Sequence, residues 1–259
     1  SRMRQETFKR YEKKYILTEE QYACLMLVLG GMFQQDLYGR HKVCNVYFDT
    51  PDYRLIRSSI EKPVYKEKLR LRGYAETVGP DSTVYVELKK KFDSVVYKRR
   101  IKMRFEDARK YLYYGIAPKE QGQVFNELDY VIRRYGLRAM AYISYEREAY
   151  TCPLDSEIRA TFDREIMGRS GELDLQVEPY GKAILDEGEI LMELKLPGVM
   201  PLWLGRILGE LKIYPTSYSK YGTYYTRYVQ PQREWGIEGL RESFAQRGQE
   251  WMIGGLACA

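Results

Sequence analysis

Lysine and arginine recur at every second position in several short stretches of this chain. Lys66, Lys68, Arg70 and Arg72 alternate with Glu67, Leu69 and Leu71. Glu87, Lys89 and Lys91 alternate with Val86 and Leu88, and Lys98, Arg100 and Lys102 follow in the same manner. Near the start Arg10, Glu12 and Lys14 share a parity, as do Glu193 and Lys195 further on. In a β-strand residues two apart lie on one face, so each stretch predicts one charged and one aliphatic face. The chemistry such faces can do is anion binding: guanidinium forks grip phosphate oxygens in pairs and ammonium groups act as point charges. Glu12, Glu87, Asp163 and Glu193 stand among these cations. Carboxylates are poor partners for phosphate but suit a hard divalent cation that bridges to it, Mg²⁺ or Mn²⁺.

The oily faces need cover and the charged faces need a shared ligand. A β-barrel with a polar lumen and helices packed outside satisfies both demands. Two like charges ~6 Å apart repel by roughly 3 kcal/mol at an effective dielectric near 20, so a lumen of cations is costly until a polyanion enters. The placement of charge carries this reading, because 42 Lys+Arg against 36 Asp+Glu gives a net charge of only +6. A single histidine, His41, excludes His-rich zinc sites and leaves little for a Ser-His-Asp mechanism. It reads as a surface residue before a strand. Four cysteines without CxxC spacing read as reduced thiols in an intracellular protein. No apolar run is long enough for a membrane span, and no secretory signal is seen; a cytoplasmic location is expected.

Period-2 alternation predicts strands over Phe8 to Ile16, Val43 to Asp49, Pro63 to Tyr74, Thr83 to Phe92, Val95 to Phe105, Ala139 to Tyr150, Ile158 to Ile166, Leu173 to Glu178 and Ile190 to Leu196. Thr18 is placed to cap a helix reaching about Phe33, with Glu20 and Gln21 available for the reciprocal bond. Further helices are expected over Glu106 to Tyr114, Val124 to Tyr135 and Pro201 to Leu211, with Gly115 and Gly136 as stops. The many tyrosines, Tyr111, Tyr113 and Tyr114 among them, read as packing between barrel and helices. The fold class expected is α+β, mainly antiparallel: an eight-stranded tunnel barrel over residues 1–230. Residues 231–259 are expected to form a helical tail packed on or capping the barrel, with one candidate helix near Gly236 to Trp251.

In sequence order, eight segments carry a resemblance. They are Phe8 to Tyr15, Lys68-Leu69-Arg70-Leu71-Arg72, Val86 to Lys91, Val96 to Arg100, Tyr145-Glu146-Arg147, Ile158 to Asp163, Met192 to Lys195 and Ser217 to Gly222. Together they resemble the polyphosphate polymerase domain of the vacuolar transporter chaperone (VTC) type, within the triphosphate tunnel metalloenzymes. The resemblance implies transfer of the γ-phosphate of ATP or another nucleoside triphosphate onto a growing polyphosphate. It also implies that Lys14, Arg70, Arg72, Lys89, Lys98, Arg147, Arg159, Lys195 and Lys220 contact phosphate and that Glu193 is the principal metal ligand. Strand parity adds Arg10, Lys68, Lys91 and Arg100 to the phosphate contacts. Glu12, Glu87 and Asp163 are additional metal candidates.

Related tunnel enzymes that act as cyclases or triphosphatases open with Glu-x-Glu-x-Lys, whereas here the pattern is Arg10-x-Glu12-x-Lys14. One carboxylate is lost, which favours polymerase over a two-metal hydrolase. The readings held against it are a tunnel-type tripolyphosphatase or nucleoside triphosphatase, and a non-catalytic binder of polyphosphate or nucleic acid. Nucleic acid is not the expected partner, since the interspersed acids would repel its backbone. A membrane-bound partner is compatible with the resemblance.

Overall fold

A computed structural model describes residues 11–61, 64–93 and 95–236. The expectations for Arg10, for the strand opening at Phe8, for Cys258 and for nearly all of the tail helix lie outside these residues. Ten strands build one antiparallel sheet. They are β1 (Tyr11–Thr18), β2 (Gln34–Gln35), β3 (His41–Asp49), β4 (Tyr65–Gly73), β5 (Thr83–Phe92), β6 (Val95–Arg104), β7 (Arg138–Cys152), β8 (Asp155–Arg169), β9 (Lys182–Ala183) and β10 (Glu189–Leu196). Eight follow the order β1-β10-β8-β7-β3-β4-β5-β6, while β2 and β9 pair at the margins. The helices are α1 (Glu19–Leu29), α2 (Arg54–Glu61), α3 (Phe105–Tyr114), α4 (Gln123–Tyr135), α5 (Leu202–Glu210) and α6 (Lys220–Tyr224). A π-helical turn, Tyr225–Val229, continues α6. No described helix is long and apolar enough to cross a membrane.

The α+β, mainly antiparallel class follows the alternation. The aliphatic faces are covered as their chemistry demands. Leu69, Leu71, Val84, Val86 and Leu88 are buried in one cluster with Phe105, Leu112 and Leu128 of α3 and α4. Tyr15, Leu17, Ile190, Met192 and Leu194 are buried in a second with Leu25, Leu204 and Leu208 of α1 and α5. Helix α1 begins with the anticipated reciprocal cap between Thr18 and Gln21, and it stops at Gly30, earlier than expected. Gly115 and Gly136 end α3 and α4 with φ of 71° and 59°, left-handed geometry that glycine adopts without strain.

Closure differs from the expected barrel. Among the described residues β1 and β6 are the two ends of the sheet and share no backbone ladder. The sheet nevertheless curls until β1 approaches the strand next to the other end: Lys89 Nζ on β5 lies 3.5 Å from Glu12 Oε2 on β1. The segment before α6 lies in this gap. Thr216 N donates to the Lys14 carbonyl at 2.8 Å, and Lys68 Nζ donates to Ser219 Oγ at 2.7 Å.

Two further departures have local causes. No strand forms over Leu173 to Glu178. Instead the Arg169 guanidinium donates to the carbonyls of Gly171, Glu172, Glu178 and Tyr180, which holds the chain as a loop. The apolar spacing there serves to anchor Leu175 in the core. Helix α2, which the sequence pattern did not indicate, is started by Asp49. Its carboxylate accepts from the backbone N–H groups of Leu55 and Ile56 and from the Tyr221 hydroxyl.

Candidate anion-binding channel

Strand parity sends one row of each charged strand to the concave side of the curled sheet. There the side chains sort into two carboxylate centres. The first is Glu87, 3% exposed, in the middle of β5. Register places it between Arg70 on β4 and Arg100 on β6. Arg70 reaches it through Nε at 2.8 Å and NH2 at 2.7 Å. Arg100 Nε lies 3.3 Å and Arg72 NH1 3.9 Å from the same carboxylate. Burial would raise the Glu87 pKa; Arg70 and Arg72 overcome that and hold it at about 2. Arg72 is oriented by Asn45 Oδ1 at 2.8 Å and by the Tyr145 hydroxyl at 2.9 Å.

The second centre joins β7, β8, β10, β1 and the start of α6. Arg147 donates to both oxygens of Asp163, at 2.7 and 2.8 Å. Lys220 Nζ bridges Asp163 Oδ2 at 2.7 Å and Glu193 Oε1 at 3.2 Å. Ser219 caps α6 and delivers Lys220 to this point. Burial works against ionisation of Glu193, yet Lys220, Arg147 and Lys14 hold it well below the carboxylate range. Lys220 is raised, burial being outweighed by Asp163 and Glu193. Tyr145 links the centres: its hydroxyl meets Arg72, and its ring lies under Lys220 and Arg147.

Apart from Lys89, which pairs with Glu12, the remaining cations ring these centres without an ion pair among the described residues. Lys14 faces Glu193 across the β1–β10 register and donates to the Tyr218 carbonyl at 2.9 Å. Burial lowers its pKa. Lys68 falls well below the lysine range through burial and through its neighbours Lys14, Lys89, Lys66 and Arg70. Lys98 is lowered by burial, with Lys195 adding repulsion. Lys91 stands opposite Lys66 in register, half-buried. Arg159 and Lys195 are exposed neighbours in register, with Glu12 next across the ladder, so they form a rim. By register the described strand-borne cations of the sequence prediction lie on the rows that carry Glu87, Asp163 and Glu193, with Arg159 and Lys195 at the rim.

The metal candidates are not equivalent. Glu87 is consumed by arginines and Asp163 by Arg147 and Lys220, while Glu12 is exposed and meets Lys89 through Oε2 at 3.5 Å. Glu193 differs: its one hydrogen bond uses Oε1, and among the described residues nothing donates to Oε2. Thr161, opposite Glu193 in register, has a buried hydroxyl without a partner. No described cluster of three acidic, histidine or cysteine side chains could cage a metal. The donor set therefore fits a divalent cation carried by Glu193 together with ligand phosphates, a mode common for Mg²⁺.

The residues that orient the site were missed from sequence. Asn45 had a legible signal, a lone amide inside the apolar run Val43 to Phe48. Tyr145 and Ser219 stand in segments that carried the resemblance, but their bonds to Arg72 and Lys68 join residues far apart in the chain, as does the bond from Arg70 to the Tyr47 hydroxyl. A groove of about 840 Å³ between β5, β6 and α4 lies on the outer face, lined by Lys90, Tyr97 and Tyr130 rather than by the channel cations.

Fold and site together define a curled antiparallel sheet whose concave face is built to bind anions. The VTC domain profile matches residues 9–228, so the chain belongs to the VTC domain family. No curated protein matches it in sequence. Among solved structures, it resembles a Bacillus halodurans protein provisionally assigned as an adenylate cyclase, with TM-score 0.52 and 14% identity. That match covers 85% of this chain and 99% of the other. It also resembles an adenylyl cyclase-type protein from Hippeastrum with a dominant triphosphatase activity. There the TM-score is 0.50 at 14% identity, over 83% of this chain and 94% of the other. At these identities the shared property is the fold.

Proposed function

We propose that this protein is a metal-dependent polyphosphate polymerase that passes the γ-phosphate of a nucleoside triphosphate to a growing polyphosphate chain. One observation carries the reading: among the described residues, cations from seven strands and α6 face one concavity, and the buried carboxylate of Glu193 among them accepts no hydrogen bond at Oε2. Membership of the VTC domain family agrees with a polyphosphate substrate.

Phosphoryl transfer asks little covalent help of a protein; it asks for alignment and charge neutralisation. Arg70, Arg72 and Arg147 present guanidinium forks, already fixed by Glu87, Asn45, Tyr145 and Asp163, to a phosphate chain lying between them. Lys14, Lys68, Lys89 and Lys220 supply positive point charges along the same line. An oxygen of the terminal polyphosphate unit attacks the γ-phosphorus, and the bond to the β–γ bridging oxygen breaks, releasing nucleoside diphosphate. A phosphate acceptor is already ionised at neutral pH, so no general base is needed. Glu193 would hold Mg²⁺ or Mn²⁺, whose contribution when bound is neutralisation of phosphate oxygens.

Incubation with ATP and Mn²⁺, resolved on a gel, tests the reading. Long polyphosphate chains are expected. Orthophosphate alone would instead mark a tripolyphosphatase or nucleoside triphosphatase using the same channel. Oligonucleotide binding in EDTA that outcompetes polyphosphate would mark a non-catalytic binder.

A further inference from the structure

Beside the arginine end of the channel lies a group of aromatic rings that belongs to none of the three hydrophobic clusters: Tyr38, His41, Tyr74 and Tyr85. Tyr38 is 80% and Tyr74 42% exposed. Tyr74 follows β4 two residues after Arg72, and Tyr85 lies two before Glu87, so both continue rows that face the channel. The rings touch in sequence: Tyr38 to His41 at 6.1 Å, His41 to Tyr74 at 6.1 Å and Tyr74 to Tyr85 at 5.7 Å between centroids. His41 Nδ1 is 3.1 Å from the Gly39 carbonyl, which fixes its ring. Arg100 ties the group to the phosphate belt. Its guanidinium lies 3.5 Å over Tyr85, donates to the Tyr74 hydroxyl at 3.0 Å and pairs with Glu87 at 3.3 Å.

Packing does not account for an exposed aromatic group anchored by a channel arginine. Base–aromatic stacking beside a cationic groove is the recurrent way proteins hold a nucleobase whose phosphates are gripped elsewhere. We infer that Tyr74, flanked by His41 and Tyr38, is a ledge on which the base of the nucleoside triphosphate stacks while Arg72 and Arg100 receive its phosphates. This rests on the channel binding phosphate as proposed above. Stacking reads a π-face and tolerates any base, and the larger purines gain the most contact.

Calorimetric affinities for ATP and for tripolyphosphate, both with Mg²⁺, separate ledge from channel. In Tyr74→Leu the ratio of ATP to tripolyphosphate affinity is expected to fall roughly tenfold against wild type. His41→Ala lowers it less, and Tyr74→Phe, which keeps the ring, leaves it within about twofold. An unchanged ratio in Tyr74→Leu, with both ligands still bound, overturns the ledge and leaves the channel standing. A wild-type protein that binds neither ligand overturns the channel reading and the ledge with it. Equal loss in Tyr74→Phe and Tyr74→Leu also overturns it, because the hydroxyl bond to Arg100 would then be the cause.

Discussion

Glu87 and Glu193 are chemically the same group, both buried, both ionised and both turned toward one concavity, yet their surroundings give them opposite roles. Glu87 faces three arginines fixed in the β4–β5–β6 ladder, so its charge is spent on holding them. Glu193 faces lysines and shares its principal partner, Lys220, with Asp163. It keeps one oxygen open. A carboxylate surrounded by forked donors is structural; one with an open oxygen beside lysine ammonium groups is available to a ligand.

Substitution is the sharpest way to break this comparison. Glu193→Gln is expected to lower polyphosphate synthesis by about a hundredfold or more, the scale of losing one preorganised electrostatic contact. Lys220 keeps Asp163 as a partner, so the melting temperature should fall less than in Glu87→Gln; retained activity at saturating metal would refute the role assigned to Glu193. Glu87→Gln should do the reverse in emphasis. Removing one member of a buried ion pair costs ~3–5 kcal/mol, and at ~2–4 °C per kcal/mol for a chain of this size a drop of about 10 °C is expected by calorimetry. A melting temperature unchanged by that replacement would show the two carboxylates to be alike.

Titration sharpens the contrast further. Glu87 sits at about 2 against an ordinary 4.5. A lowered carboxylate contributes stability above its unfolded pKa and loses it as pH falls through the folded one. Thermal melts should therefore decline between about pH 4.5 and 2, and in Glu87→Gln that part of the decline should be missing. Lys68 gives the opposite sign. Its pKa lies well below 10.5, so its proton is a cost in the free fold that is relieved as pH rises through the lowered value. Phosphate restores the preference for the ammonium, so tripolyphosphate binding takes up protons in the window between that lowered pKa and 10.5. Calorimetry in two buffers of different ionisation enthalpy measures the uptake, and its absence would remove Lys68 from the channel. Smallest of all is Arg159→Ala. The side chain is exposed with no ion pair among the described residues, so stability should move by under ~0.5 kcal/mol, with a modest rise in KM as the main readout.

Much of this was legible without coordinates. Alternation in β4, β5 and β6 fixed which face of each strand is charged, because the period of a strand's side chains is set by backbone geometry alone. The cap at Thr18 and the stops at Gly115 and Gly136 were legible for a similar reason, since they depend on residues within one turn. Where local patterns served a distant purpose, they misled. The spacing around Leu175 imitates a strand because an anchored loop also needs buried side chains at intervals. Helix α2 was hidden because its cap, Asp49, is the last residue of a strand and depends on Tyr221 from the far end of the chain.

Composition and order along the chain determined that rows of cations exist, that acids stand among them and that oily faces lie behind them. Tertiary structure alone decided how those acids are shared. Electrostatic partners are chosen by distance in space, and the curl that brings β1 to β5 also carries Ser219 and Lys220 across the sheet. Only then does one carboxylate become a brace and another become open to a ligand.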